Sequence, residues 1–181
     1  MATYVILLRG INVSGQKKII MSELKTMLQN LDFAMVRTYV QSGNIVLKSD
    51  LGSPLKVSQI IKKGIYDTFG FDVPVLAKTY FDLKEIMARP PFIGHHEMET
   101  KKWYYVLLKE VPNTELAFKL QQEQFPNEQF IILNNCVYLS CDQGYGKTKC
   151  DNNFFEKRLK VQATTRNHRT MMKLLAMAEK N

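Results

Sequence analysis

Trp103-Tyr-Tyr-Val-Leu-Leu108 is a short apolar run in mid-chain, and its reading decides the fold because a second run, Tyr4-Val-Ile-Leu-Leu8, stands near the start. Each is long enough for a strand and apolar at successive positions, which predicts a central strand buried on both faces. Outward from Tyr4–Leu8, Ser22 is placed to cap a helix whose apolar residues Leu24, Met27, Leu28 and Leu31 recur at helical spacing. Val36–Val40 and Ile45–Leu47 then read as two strands joined at Gln41-Ser-Gly-Asn44, where Gly43 can take positive φ. Ser53-Pro54 opens a second helix carrying Val57, Ile60, Ile61 and Phe69, Gly70 closes it, and Val73–Lys78 returns as a strand. Asp82 with Glu85 reads as a capping box over a short helix that ends before Pro90-Pro91.

From Trp103 the same order starts again. Pro112-Asn113-Thr114 opens a helix that stops at Pro126, and Phe130–Leu133 and Val137–Leu139 form a hairpin across Asn134-Asn135. Asp151 caps a helix with Phe154, Phe155 and Leu159, Val161–Thr164 is the last strand, and Met171, Leu174, Leu175 and Ala178 form a closing amphipathic helix. The reading is an α+β chain built as a duplicated βαββαβ unit, each copy followed by an extra helix. The units are expected at residues 1–89 and 90–181, with a Pro/Gly-interrupted linker from Arg89 to Lys102. Two helices per unit cover one side of a sheet, so the other side needs the extra helices, the second unit or a partner.

A chain of 181 residues suits one domain or two small ones and buries roughly 70% of its unfolded surface. The 45% hydrophobic and 23% charged content belongs to a globular protein. Of the net charge of +8, the last 38 residues supply +6, from nine Lys/Arg against three Asp/Glu. The Arg9–Lys18 loop adds Arg9, Lys17 and Lys18 without an acid, a distribution that attracts phosphate-bearing partners or keeps a solvated basic surface. Three cysteines, Cys136, Cys141 and Cys150, do not make a disulfide framework. No apolar run approaches the ~18 residues of a membrane span, and Tyr4–Leu8 meets Arg9 at once, so the expectation is a cytoplasmic protein without membrane contact.

Three clusters bear donors. Gly144-Tyr-Gly146-Lys147-Thr148-Lys149 lies between a strand and a helix, where backbone N–H groups can hold phosphate. It is not a Walker loop, because the required first glycine is Cys141. Thr164-Thr165-Arg166-Asn167-His168-Arg169-Thr170 closes a strand and opens a helix, with Arg166 and Arg169 as oxyanion clamps and Thr165 and Asn167 as neutral donors or plain caps. Arg9 and Asn12 end the first strand, and Asn44 follows the Gly43 turn as a further donor. The expected ligand contacts are therefore Arg9, Asn12, Asn44, Gly146, Lys147, Lys149, Thr165, Arg166, Asn167 and Arg169. His95-His96-Glu97 with Glu99 lacks the order of a zinc helix, so neither a metal nor another cofactor is expected. There is no GxSxG elbow, CxxC pair or dinucleotide fingerprint.

Tyr4–Gly15, Val36–Val46, Gly144–Lys149 and Ala163–Thr170 together resemble the bacterial domain of unknown function family numbered 1697. The resemblance implies a two-part α+β architecture of ferredoxin-like units and no established reaction. The chain departs from the family pattern at His168, where Trp is usual, and at Lys147 and Thr148, which stand for the frequent Arg and Ser. The donor-rich, acid-poor clusters themselves favour a protein that binds a phosphate-containing ligand, a nucleotide, a phosphorylated small molecule or nucleic acid, through a basic cleft. The alternative is a phosphoryl- or acyl-transfer enzyme acting on a small anionic substrate, with Arg9 and Asn44 holding phosphate and water as acylphosphatase does on a ferredoxin-like unit. An RNA-reading sheet is disfavoured because Ile45-Val-Leu47 lacks stacking aromatics.

Overall fold

The computed structural model describes residues 1–88, 90–91 and 101–180. Its elements run β1 (Ala2–Leu8), α1 (Met21–Asn30), β2 (Ala34–Tyr39), β3 (Asn44–Ser49), α2 (Pro54–Phe69), β4 (Val75–Thr79) and α3 (Tyr80–Ala88). They continue as β5 (Trp103–Leu108), α4 (Thr114–Gln121), β6 (Glu128–Leu133), β7 (Cys136–Cys141), α5 (Asn152–Leu159), β8 (Ala163–Asn167) and α6 (His168–Glu179). Two four-stranded antiparallel sheets result, in the orders β2-β3-β1-β4 and β6-β7-β5-β8. The two apolar runs are inner strands of these sheets, as an unbroken hydrophobic stretch requires. The chain divides into two compact units, Met1–Glu85 with Lys173–Asn181, and Ile86–Met172.

In the first unit Tyr4, Ile6 and Leu8 of β1 alternate onto one face, joined by Ile45, Leu47 and Val36 and covered by Leu24 and Leu28 of α1 and Val57, Ile61 and Ile65 of α2. The intervening Val5 and Leu7 are equally buried on the opposite face. The end of α6 belongs to this unit: Arg37 Nη1 donates to the Met177 carbonyl at 3.5 Å, and Lys173 Nζ lies 6.0 Å from the centroid of the Tyr39 ring. Arg37 and Tyr39 are two apart on β2, hence on one side of it. The second unit is built alike, with Val106, Leu108, Val137 and Leu139 packed on Leu120, Phe155 and Leu159. There the Tyr138 hydroxyl donates to the Ile86 carbonyl at 2.9 Å. In each unit a sheet side chain thus meets a carbonyl near the C-terminus of a trailing helix, Met177 in a helix ending at Glu179 and Ile86 in one ending at Ala88. Such end carbonyls have no partner within their own helix and need a donor from elsewhere.

Helix ends follow local chemistry with two corrections. Gly70 closes α2 at φ 74°, Asn113 caps α4 through the N–H groups of Glu115 and Leu116, and Asp151 caps α5 through that of Phe154. Ser22, by contrast, lies inside α1, which starts one residue earlier after Ile20 and has no side-chain cap. The capping box of α3 sits one turn upstream of the expected place: Thr79 Oγ1 accepts from the Asp82 N–H at 3.1 Å, and Asp82 Oδ2 accepts from the Thr79 N–H at 2.9 Å. Asp82 is the third helical residue rather than the cap, because Thr79 ends β4 and its hydroxyl reaches first.

Candidate anion site

The donor-rich residues belong to two places, each described within its own unit. In the first, the loop after β1 is held by Asn12, whose φ is 54°. Its amide donates to the Ile19 and Gln41 carbonyls, both at 2.9 Å, and its Oδ1 accepts from the Ile19 N–H at 2.9 Å. Asn12 therefore ties the loop to its own exit and to the turn between β2 and β3. That turn is locked from below, since the Leu8 N–H donates to the Gly43 carbonyl at 2.8 Å and a Cβ at Gly43 would stand 2.5 Å from that of Leu8. Asn44 is fully buried, and its amide donates to the Tyr39 carbonyl at 3.1 Å and to Ser42 Oγ at 2.9 Å. Both asparagines thus act as staples for two motifs that the fold brings side by side.

Arg9 is half-buried, and its N–H donates to the Pro74 carbonyl at 3.1 Å. Lys17 reaches the Asp72 carbonyl at 2.6 Å, while Lys62 pairs with the Asp72 carboxylate at 2.8 Å. The hydrogen bond and charge of Lys62, aided by Lys17, lower the Asp72 pKa. An acid thus stands beside a loop that contains none.

In the second unit, Gly144 (φ 80°) turns the chain into a single 3-10 turn, Tyr145–Lys147. The N–H groups beyond it are engaged internally: Lys147 to the Gly144 carbonyl, Thr148 to Tyr145, Lys149 to the Glu128 carboxylate at 3.0 Å and Cys150 to Thr148 Oγ1 at 3.0 Å. Glu128 is buried and supplies an anion from within the chain, so these four backbone groups do not form the expected phosphate cradle. The side chains of Lys147 and Lys149 remain exposed, and Gly146 has open space where a Cβ would be.

Tyr145 anchors this turn to β8. Its hydroxyl donates to Thr165 Oγ1 at 3.2 Å and accepts from the Asn152 N–H at 3.2 Å, while Thr165 Oγ1 donates to Asn152 Oδ1 at 2.7 Å. Its ring lies 5.1 Å from that of Tyr104, and burial raises its pKa. Arg166 follows Thr165 and donates through Nη1 to the Thr165 carbonyl at 2.9 Å. Arg166 is half-buried, and burial lowers its pKa to about 10, opposed by the Tyr145 hydroxyl nearby, so the guanidinium stays charged at neutral pH. The Tyr145–Thr165 bond thus joins the lysine-bearing turn to the strand that carries Arg166. Neither Tyr145 nor Asn152 was expected at the site; the available signal was a large aromatic between two glycines of a polar turn.

Asn167 Oδ1 accepts from the Thr170 N–H at 2.8 Å, which makes Asn167 the cap of α6, and Arg169 is exposed in the first turn of that helix. His168 Nδ1 lies 2.9 Å from the Tyr105 hydroxyl, with the His168 ring stacked on Tyr105 and edge-on to Trp103. Desolvation lowers its pKa. His95, His96, Glu97 and Glu99 lie outside the described residues, and among those described no group of three or more His, Cys, Asp or Glu is placed to hold a metal. No helix among the described residues is long and apolar enough to cross a membrane.

The architecture is that of an α+β protein with two four-stranded antiparallel sheets. By sequence, residues 1–138 match the model of the family described as "Protein of unknown function (DUF1697)", and the chain belongs to that family. The matched stretch includes the Arg9–Asn12 and Gln41–Asn44 motifs and ends before the turn at 144–149 and the cluster at 164–170. Among solved structures, the conserved bacterial protein SP0830 from Streptococcus pneumoniae is similar, with a TM-score of 0.74 at 20% identity over 98% of this chain and 98% of that one. At that identity the likeness is one of fold. A search of curated proteins finds no match.

Proposed function

We propose that this protein binds a phosphate-bearing ligand, a nucleotide or the backbone of a nucleic acid, and that the contacts are side chains of the second unit. The observation that carries the reading is Arg166, half-buried on the strand that the Tyr145–Thr165 bond ties to a turn whose lysines are exposed. A cation partly removed from water interacts more strongly with an incoming oxyanion than a fully solvated one. Lys147, Lys149 and Arg169 add long-range attraction, with Gly146 leaving room beside them, while Thr165 and Asn167 position the strand end through their own bonds. In the first unit, taken by itself, Asn12 and Asn44 are engaged by the chain's own groups and hold the loops that follow Arg9 and Tyr39 rather than a ligand. The transfer-enzyme alternative needs Asn44 to orient water, and that amide is buried and engaged, which favours binding over catalysis.

We further infer that each unit is a ferredoxin-like βαββαβ fold and that the chain arose by duplication of residues 1–89 as 90–181. The matching strand orders and the helix-end contacts of Arg37 and Tyr138 support this.

The test is calorimetric titration with ATP, inorganic pyrophosphate and a single-stranded oligonucleotide at ~50 and ~200 mM salt. Saturable binding that weakens with salt, falls at least about tenfold in Arg166→Gln and less in the Lys147→Ala/Lys149→Ala pair is expected. Arg166→Lys, with circular dichroism to verify folding, separates loss of the fork geometry from loss of the fold. If none of the three ligands binds at the lower salt, or if folded Arg166 variants bind as the parent does, the proposal is wrong.

A further inference from the structure

A groove of about 590 Å³ opens between α1 and α2 of the first unit, lined on each side by residues of that unit alone. Its size lies within the range of small-molecule sites. Gly64 of α2 lies in tight contact with Met27 of α1 and Leu31 just beyond it, since a Cβ there would stand 2.7 Å from both Leu31 Cδ1 and Met27 Sδ, so these two side chains rest directly on the α2 backbone beside the groove. The floor consists of Met27, Leu31 and Phe69, giving a polarisable thioether, an aliphatic branch and an aromatic ring in one place. That combination suits a flat aromatic body, which gains from sulfur and edge contacts beyond simple area burial.

The rim carries the opposite charge to the rest of the molecule. Glu23 lies in the first turn of α1, and its carboxylate makes no hydrogen bond or ion pair with any described residue. The Asn30 amide, two turns along the same helix, likewise makes no hydrogen bond with any described residue. Asp67 also lines the groove and pairs with Lys63, so these three charges leave the rim net negative on a chain of net charge +8. An ammonium group entering beside Glu23 would find a carboxylate without a counter-charge among the described residues, while the Asn30 amide stands roughly 10 Å further along the helix as a second polar group on the rim.

We propose that this groove binds a small organic cation, an aromatic body bearing a primary ammonium group. The aromatic part lies over Met27 and Phe69, and the ammonium meets Glu23, one helical turn before Met27. The site is separate in charge and ligand class from the anion site, so either stands without the other.

The experiment is a nitrogen-proton correlation titration of the full chain with three probes of one ring system: tryptamine, indole and indole-3-acetate. Tryptamine is expected to give saturable shifts confined to residues 22–31 and 64–69 and to bind about fivefold or more tightly than indole-3-acetate. Glu23→Gln should cost tryptamine roughly two- to fivefold and leave indole unchanged, since an exposed charge pair contributes little more than that. Thr26→Trp, a change at an exposed rim position, should abolish binding of all three while the remaining spectrum stays in place. The proposal is overturned if tryptamine gives no saturable shift, if the shifts fall elsewhere, or if indole-3-acetate binds as tightly as tryptamine.

Discussion

Replacing Gly43 by alanine isolates the contact that joins the two loop motifs of the first unit. At φ +76° an alanine would pay about 1–2 kcal/mol for the left-handed backbone. Its Cβ would also stand 2.5 Å from Leu8 Cβ and 2.9 Å from Ile11 Cδ1, where carbon atoms normally keep about 3.5–4.0 Å. Leu8 and Ile11 are each 1% exposed, so neither can retreat without disturbing the core, and the Leu8 N–H bond to the Gly43 carbonyl must lengthen. Overpacking of this kind costs about 1–3 kcal/mol, giving about 2–5 kcal/mol in total. Gly10 is the internal control: its φ is +72°, yet a Cβ there meets nothing within 4 Å, so only the backbone cost applies. Urea unfolding followed by far-ultraviolet circular dichroism should show Gly43→Ala losing roughly twice the stability lost by Gly10→Ala, with unchanged slope. Amide exchange at Leu8 should accelerate in the first variant only. Equal midpoints for the two variants would refute the reasoning, because the backbone dihedrals match and only the surroundings differ.

Gln121, at the end of α4, covers part of the free edge of β6: its amide donates to the Phe130 carbonyl at 2.8 Å and its oxygen accepts from the Ile132 N–H at 2.9 Å. Gln121→Ala should cost about 1–2 kcal/mol and speed amide exchange at Ile132, measured by hydrogen exchange, with concentration-dependent self-association on size-exclusion chromatography if the bared edge pairs. Burial pushes the Cys141 thiol up to about 11 and Cys150 to about 12, and Cys136 is also buried, so at pH 8 a thiol reagent should label the folded chain slowly and all three cysteines once urea is added. Desolvation depresses the His168 pKa below 6.5, so the folded chain binds fewer protons than the unfolded chain between the two values. Its contribution to stability is therefore present above about pH 6.5 and lost as pH falls through the folded value. His168→Phe should remove that acid-side loss in denaturation measured at two pH values, and carbon-proton NMR of the parent should show the ring titrating below the ordinary range.

Much of the fold was legible in the sequence because apolar burial is non-directional and recurs with the period of the element. Five successive apolar residues at Tyr4–Leu8 and six at Trp103–Leu108 mark inner strands whatever surrounds them, and Gly70, Asn113 and Asp151 act within a turn of their own position. The cap of α3 was misplaced by one turn because Thr79 and Asp82 both carry suitable oxygens, and only the end of β4 decides which comes first. The covering of the second sheet face was open for a different reason: no periodicity in β2 or β7 announces that Arg37 and Tyr138 will meet helix carbonyls far along the chain.

The candidate site was legible as composition and only in part as chemistry. Sequence alone determined that cations and amides crowd the 144–170 region and the loop after β1, since charge is a property of residues wherever they lie. Tertiary structure decided what each one does: Asn12 meets a carbonyl 29 positions away, and the Lys149 N–H meets a carboxylate 21 positions away. Hydrogen bonds demand direction and distance together, and those exist only once the strands have placed both partners.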